Sequence, residues 1–153
     1  MAMMTPSARD MVRTLVCDYP DINVCVRAIA WQCWRCGRTS PAFGFVHVND
    51  FTGPDDVIDV SSGLELEYVR DLLTLAGSPF ASTIKVRSSR TAGTSYLSSG
   101  CFYCDALFGA FPIRETLTDI RVDDAVSKML LILRLPRPQL EVFLLEALRN
   151  AAI

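Results

Sequence analysis

Two cysteine pairs share one internal spacing: Cys33-Trp34-Arg35-Cys36-Gly37 and, far downstream, Cys101-Phe102-Tyr103-Cys104-Asp105. Cysteines separated by two residues can close a tight turn and offer both sulfurs to one ion. Two such turns supply the four soft ligands of a tetrahedral zinc site. Zinc held by four thiolates at about 2.3 Å keeps no open position for water, so it contributes folding free energy and does no chemistry of its own. The spacing therefore predicts one structural Zn2+ on Cys33, Cys36, Cys101 and Cys104, stapling pairs that lie 64 residues apart.

Other chemistries fit less of the pattern. A thioredoxin-like dithiol wants its cysteines at a helix N-terminus, where the dipole lowers the nucleophile's pKa. Gly37-Arg38-Thr39-Ser40-Pro41 reads as a turn and Leu107 onward as a strand, and a redox role for one pair leaves the other unexplained. Cys17 and Cys25 sit in apolar surroundings and read as buried small hydrophobes. His47 is the single histidine, eleven residues after Cys36, and reads as a satisfied structural or surface residue. A lone histidine excludes a two-histidine metal site within one chain and argues against hydrolysis at a catalytic zinc. Gly93-Thr94-Ser95 lacks the lysine of a phosphate-binding P-loop. No matched acid, base and nucleophile stands out, and the expectation is that the chain is not an enzyme.

The most function-like polar stretch precedes the second pair: Lys85, Arg87, Arg90, Thr91, Thr94, Ser95 and Tyr96. Coordination would bring Arg35 and Arg38 of the first turn beside it. These groups could bind a phosphate or an acidic peptide. The favoured role is to hydrogen-bond the thiolates and balance their charge.

At 153 residues the chain has the length of one ordinary domain, half of it hydrophobic. The longest apolar run, Met129 to Leu133, falls far short of the ~20 residues that span a bilayer. Met1 to Asp10 carries no apolar signal core. Six cysteines without such a signal point to a cytoplasmic protein with reduced thiols, away from membranes. The formal net charge of −2 disfavours a generic phosphate-backbone binder. Charge is uneven, however: seven acidic residues against one arginine between Asp50 and Asp71, then a basic cluster at Lys85, Arg87 and Arg90.

The elements that must position the cysteines can be read from periodicity. Thr5-Pro6-Ser7 looks like a helix start, with Ala8, Met11, Val12, Leu15 and Val16 facing inward. Residues 22–32 alternate as a strand, with Val24, Val26, Ala28 and Ala30 against Cys25, Arg27, Ile29 and Trp31. A second strand spans 41–48, a turn-rich acidic connection 49–62, and a helix 64–76 with Leu66, Val69, Leu72 and Leu73 in its stripe. Strands are expected at 83–88 and 96–97, and a further one at 107–113. Asp123 caps an expected helix over 123–135, and Pro136-Arg137-Pro138 separates it from a last helix carrying Leu140, Phe143, Leu144 and Leu148. The expected class is α+β: zinc-ribbon-like β-hairpins over 22–113, an inserted segment 49–82 and a C-terminal helical pair over 119–153, within a single domain.

Ser95-Tyr96-Leu97, Cys101-Phe102-Tyr103-Cys104 and Ala106-Leu107-Phe108-Gly109, together with Trp31-Gln32-Cys33-Trp34-Arg35-Cys36, resemble a widespread bacterial zinc-ribbon-like family without assigned function. In this chain Asp105 stands where that family carries glycine, and Ser99-Gly100 where asparagine is usual. The resemblance implies a bound zinc and a bacterial source, and no activity.

The sequence thus reads as a non-catalytic, zinc-stabilised protein-interaction module, docking a partner or a second copy through apolar C-terminal helices. The alternative is a nucleic-acid-binding accessory protein using Trp34, Phe102, Tyr103 and nearby arginines. A thiol redox protein ranks third.

Overall fold

The computed structural model describes residues 7–18, 22–48, 57–136 and 138–140, with the backbone alone for 14–18. A helix α1 (Ala8–Asp18) begins at Ser7, whose hydroxyl accepts the Asp10 N–H at 3.0 Å. Thr5 and Pro6 lie outside the described residues. Strands β1 (Asn23–Gln32) and β2 (Thr39–Val48) form an antiparallel hairpin with the first cysteine turn at its tip. A short β3 (Ile58–Asp59) pairs with β2, and helix α2 (Gly63–Leu75) follows. A 3-10 turn (Pro79–Thr83) leads into a separate ribbon of β4 (Lys85–Ser89) and β5 (Thr94–Ser98). The chain then passes through the second cysteine turn into α3 (Ala110–Val122) and returns as β6 (Leu130–Pro136). The order in the main sheet is β3-β2-β1-β6.

The alternation expected in β1 separates two cores. Val24, Val26 and Ala28 pack with α1 and α2, through Ala8, Val12, Leu66, Val69, Leu72 and Leu73. Ile29 and Trp31 pack instead with Phe45, Ile113, Leu117 and the buried cysteines. Register slips between Arg27–Phe45 and Ala28–Phe43, so Gly44 is an extra residue in β2. That bulge puts Gly44 under α3: a Cβ there would lie 2.5 Å from Leu117 Cδ2. Glycine is required because the helix side chain occupies the space.

Two sequence expectations are corrected. Residues 107–113 are not a strand. Leu107 makes a single bridge to Gly100, and α3 starts at Ala110. Pro112 falls in the first helical turn, where its missing N–H costs nothing, and Ile113, Leu117 and Ile120 repeat at helical spacing toward the core.

Nor is 123–135 a helix, so the first half of the C-terminal helical pair does not exist. Asp123 ends α3, its N–H bonded to Asp119 O, and Asp124 takes a left-handed φ of 53°. A short 3-10 turn (Val126–Lys128) follows, and Leu130–Pro136 pairs antiparallel with β1. A short apolar run carries no period that separates strand from helix. The neighbouring β1 edge decides, and the Arg27 guanidinium fastens the entry by donating to Met129 O at 3.2 Å. Leu135 is thereby fully buried, Ile132 half-buried and Leu131 exposed. Residues 138–140 are helical and Leu140 is buried. Phe143, Leu144 and Leu148 lie outside the described residues. Among the described residues no helix is long and apolar enough to cross a membrane.

Candidate metal centre and adjoining groove

Both cysteine turns are built to one plan. In the first, Cys33 N–H donates to Arg38 O at 2.8 Å and Gly37 N–H to Cys33 O at 3.0 Å. In the second, Cys101 N–H donates to Ala106 O at 2.9 Å and Asp105 N–H to Cys101 O at 3.0 Å. The last turn residue is left-handed in each, Gly37 at φ 76° and Asp105 at φ 66°. Aspartate tolerates that region better than most residues, which explains how it replaces glycine here.

The turns meet face to face. Cys33 Sγ lies 3.5 Å from Cys104 Sγ and Cys36 Sγ 3.5 Å from Cys101 Sγ, and all four sulfurs fall within 4.8 Å of one another. Tetrahedral zinc–sulfur bonds of 2.3 Å place sulfurs about 3.8 Å apart, so the spread brackets the distance one ion requires. Cys33 Sγ also accepts the Arg35 and Cys36 N–H groups at 3.4 and 3.5 Å. The donor set and its spacing fit a single metal ion.

The surroundings of the sulfurs favour one thiolate and oppose the next. Burial pushes the Cys104 thiol up, but the Ala106 N–H, the Arg35 guanidinium and the Cys33 and Cys101 thiols outweigh it and bring it down to about 6. The Arg38 N–H pulls the Cys36 thiol down, yet burial of its sulfur and the other three cysteines raise it to about 11. Sulfurs this close cannot all ionise without a cation between them, and the first proton leaves easily while the later ones do not.

The turns are locked by side chains of both blocks, of which sequence reading singles out Trp34 and Arg35 but not Ser40 and Ser99. Ser40 Oγ accepts the Phe102 N–H at 3.0 Å, and Ser99 Oγ accepts the Phe43 N–H at 3.4 Å. Trp34 Nε1 donates to Leu107 O at 2.8 Å, while Arg35 donates to Cys104 O. Each bond crosses from one cysteine block to the other. The only prior signal for them is a hydroxyl or donor placed near a cysteine.

Of the basic stretch, Arg87 is internal. Its guanidinium, 7% exposed, donates to Thr83 O, Ser98 O, Ser98 Oγ, Asp105 O and Asp105 Oδ1. Lys85 Nζ lies 2.7 Å from Asp105 Oδ2. Lys85 foremost, with Arg87 beside it, holds the Asp105 carboxyl below its ordinary range against an opposing burial penalty. Arg38 leaves the group and lies over the Tyr103 ring, 4.8 Å from its centroid. Ser95 pairs with Ser88 through their hydroxyls at 3.1 Å on the ribbon.

Arg35, Lys85, Arg87, Arg90, Thr91 and Tyr96 do converge, as walls of one open groove of about 1360 Å³. Its other wall is the N-terminal turn of α3, with Phe111 and Arg114, which sequence reading did not connect to the site. His47 lies apart from the sulfurs, buried in β2, where Nε2 accepts from Arg27 Nε at 3.1 Å. Cys25 is buried in β1, and the Cys17 side chain lies outside the described residues.

No family model matches the chain, and neither a curated protein nor a solved structure matches it.

Proposed function

We propose that this chain is a non-catalytic binding module stapled by one structural zinc ion on Cys33, Cys36, Cys101 and Cys104. The convergence of four sulfurs from two turns of identical design carries the reading. Zinc suits the donor set: thiolates are soft ligands and four of them complete a tetrahedron, leaving no position for a substrate. The ion would neutralise half of the thiolate charge, and Arg35 and the backbone N–H groups answer part of the rest.

The working surface lies at the metal end of the molecule. Trp34, Val86, Phe102, Tyr103 and Phe111 are exposed there, whereas Asp123–Leu135 offers no amphipathic helix. The groove, with its cations and aromatic rings, favours a nucleic-acid partner. A protein partner is the second reading, carried by the edge-to-face cluster of Phe80, Phe102 and Tyr103 beside the second turn.

Elemental analysis of protein purified without added metal tests the staple, with one zinc per chain expected. Substitution by cobalt should give the visible absorption of a tetrahedral tetrathiolate site. Metal-free protein with an unchanged melting temperature and no cobalt spectrum overturns the reading.

A further inference from the structure

The groove beside the metal centre has a composition that the staple does not require. Among the described residues five cations line it against one carboxylate, Asp105. That carboxylate is already answered by Lys85 and Arg87, both at 2.7 Å, so it opposes no incoming anion. Arg90 has no hydrogen-bond or ion-pair partner among the described residues. Among the described residues Arg114 reaches only the Ser62 hydroxyl, at 3.4 Å. Arg35 is engaged by Cys104 through both its carbonyl and its thiol, and has only the remaining donors of its fork to offer an anion.

Two features of the walls narrow the ligand. The α3 N-terminus opens into the groove with Gly109 at the cap and, among the described residues, no side-chain cap on its first N–H groups, which adds positive potential beside Arg114. Trp34 and Phe111 line the same groove and are each 70% exposed. The indole is not merely loose in water: its Nε1 is tied to Leu107 O at 2.8 Å, which fixes the ring in place. Solvent-facing rings set among arginines are what unpaired bases on a phosphate backbone recognise, because every base has a π-face and every linkage a charge. An acidic peptide would use the cations and leave the rings idle. A duplex would keep its bases stacked on one another.

We propose that this groove binds single-stranded nucleic acid, with bases stacked on Trp34 and Phe111 and phosphates held by Arg35, Arg90 and Arg114. The site deepens the binding-module reading and rests on it, since Trp34 and Arg35 belong to the first cysteine turn. Net charge does not oppose it: of the described acidic residues in the acidic stretch, Asp59, Glu65, Glu67 and Asp71, none lines the groove, whose one carboxylate among the described residues is Asp105.

The test is fluorescence anisotropy of the full zinc-loaded chain with labelled oligo-dT and oligo-U twelve-mers, a duplex of the same length and polyglutamate. Single strands should bind more tightly than duplex or polyglutamate. Three phosphate contacts predict a log–log salt slope of about −2, and Arg90→Ala or Arg114→Ala should flatten it by about 0.7 each. Trp34→Ala and Phe111→Ser should each weaken binding by about fivefold or more, with Trp34→Phe retaining most of it. Phe111 lies outside both cysteine turns, so its variant reports on the groove even where Trp34→Ala unfolds the first turn. Zinc content is measured on every variant. Zinc-loaded wild type that binds no single strand at low salt overturns the groove and leaves the metal reading standing. So does equal binding of polyglutamate with no effect of either ring. Binding by a chain found to carry no zinc fails the metal reading instead.

Discussion

Asp105 and Arg87 form the joint between the second cysteine turn and the β4–β5 ribbon. The carboxylate lies 2.7 Å from a guanidinium that is otherwise buried, and the Asp105 carbonyl accepts a second bond from the same group at 3.3 Å. The residue that closes the turn in a left-handed conformation is also the residue that secures a buried charge. Conformation alone would favour glycine at this position, and the ion pair is what favours aspartate.

Asp105→Gly should therefore destabilise the protein by about 1–2 kcal/mol despite relieving the backbone, because it strips Arg87 of its anionic partner. Asp105→Asn keeps an acceptor and tolerates the left-handed region, so its loss should be smaller. Urea unfolding of both variants at neutral pH checks the order. A glycine variant as stable as wild type would show that the pair contributes nothing.

Gly100→Ala should be among the most damaging small substitutions in the chain. A Cβ there would lie 2.3 Å from Arg87 Cζ, and that guanidinium cannot step aside without abandoning its five acceptors. The expected cost is about 1–3 kcal/mol. Thermal melts measure it, and a melting temperature within a degree of wild type would contradict the packing.

Cys101→Ser should damage folding far more than Cys25→Ala. The first removes one of four clustered sulfurs, whereas Cys25 is a buried residue of β1 outside that cluster. Losing about 4 kcal/mol from a chain of this size lowers Tm by roughly 8–16 °C. Chelator should reproduce the Cys101→Ser effect in wild type and add little to the variant. Equal melting temperatures for the two variants would refute this.

Gly44→Ala tests the seat of α3 on β2. The added methyl would press on Leu117 Cδ2 at 2.5 Å and on Met129 Cε at 3.0 Å, for an expected loss of about 1–3 kcal/mol. Combining it with Leu117→Ala makes room for the methyl. The double variant should be less unstable than the sum of the two single ones. Strict additivity would place the conflict elsewhere.

The β6 strand makes a sharp distinction between leucines four residues apart. Leu135 is 1% exposed and Leu131 45% exposed. Leu135→Ala should cost about 2–5 kcal/mol, and Leu131→Ala should stay within about 0.5 kcal/mol. Chemical denaturation of the two variants decides it. Similar losses would mean that this segment does not hold its register against β1.

Features that depend on near neighbours were legible in the chain alone. The repeated Cys-x-x-Cys spacing named the four sulfurs that converge, alternation in β1 sorted Val24 and Val26 from Ile29 and Trp31, and the Leu66-Val69-Leu72-Leu73 stripe marked α2. Each is a pattern whose physical cause lies within one turn or one pleat. Tertiary structure decided what depends on distant partners. Leu130–Pro136 is a strand because β1 has an edge to fill, a fact that no period within an apolar run encodes. Gly44 and Gly100 are glycines because Leu117 and Arg87 occupy the space of their side chains, from 73 and 13 positions away. The basic stretch becomes a groove only when α3 brings Phe111 and Arg114 opposite the ribbon and the clustered sulfurs set Trp34 and Arg35 beside them. Local chemistry writes the metal ligands into the chain; excluded volume and long-range pairing write the surface they support.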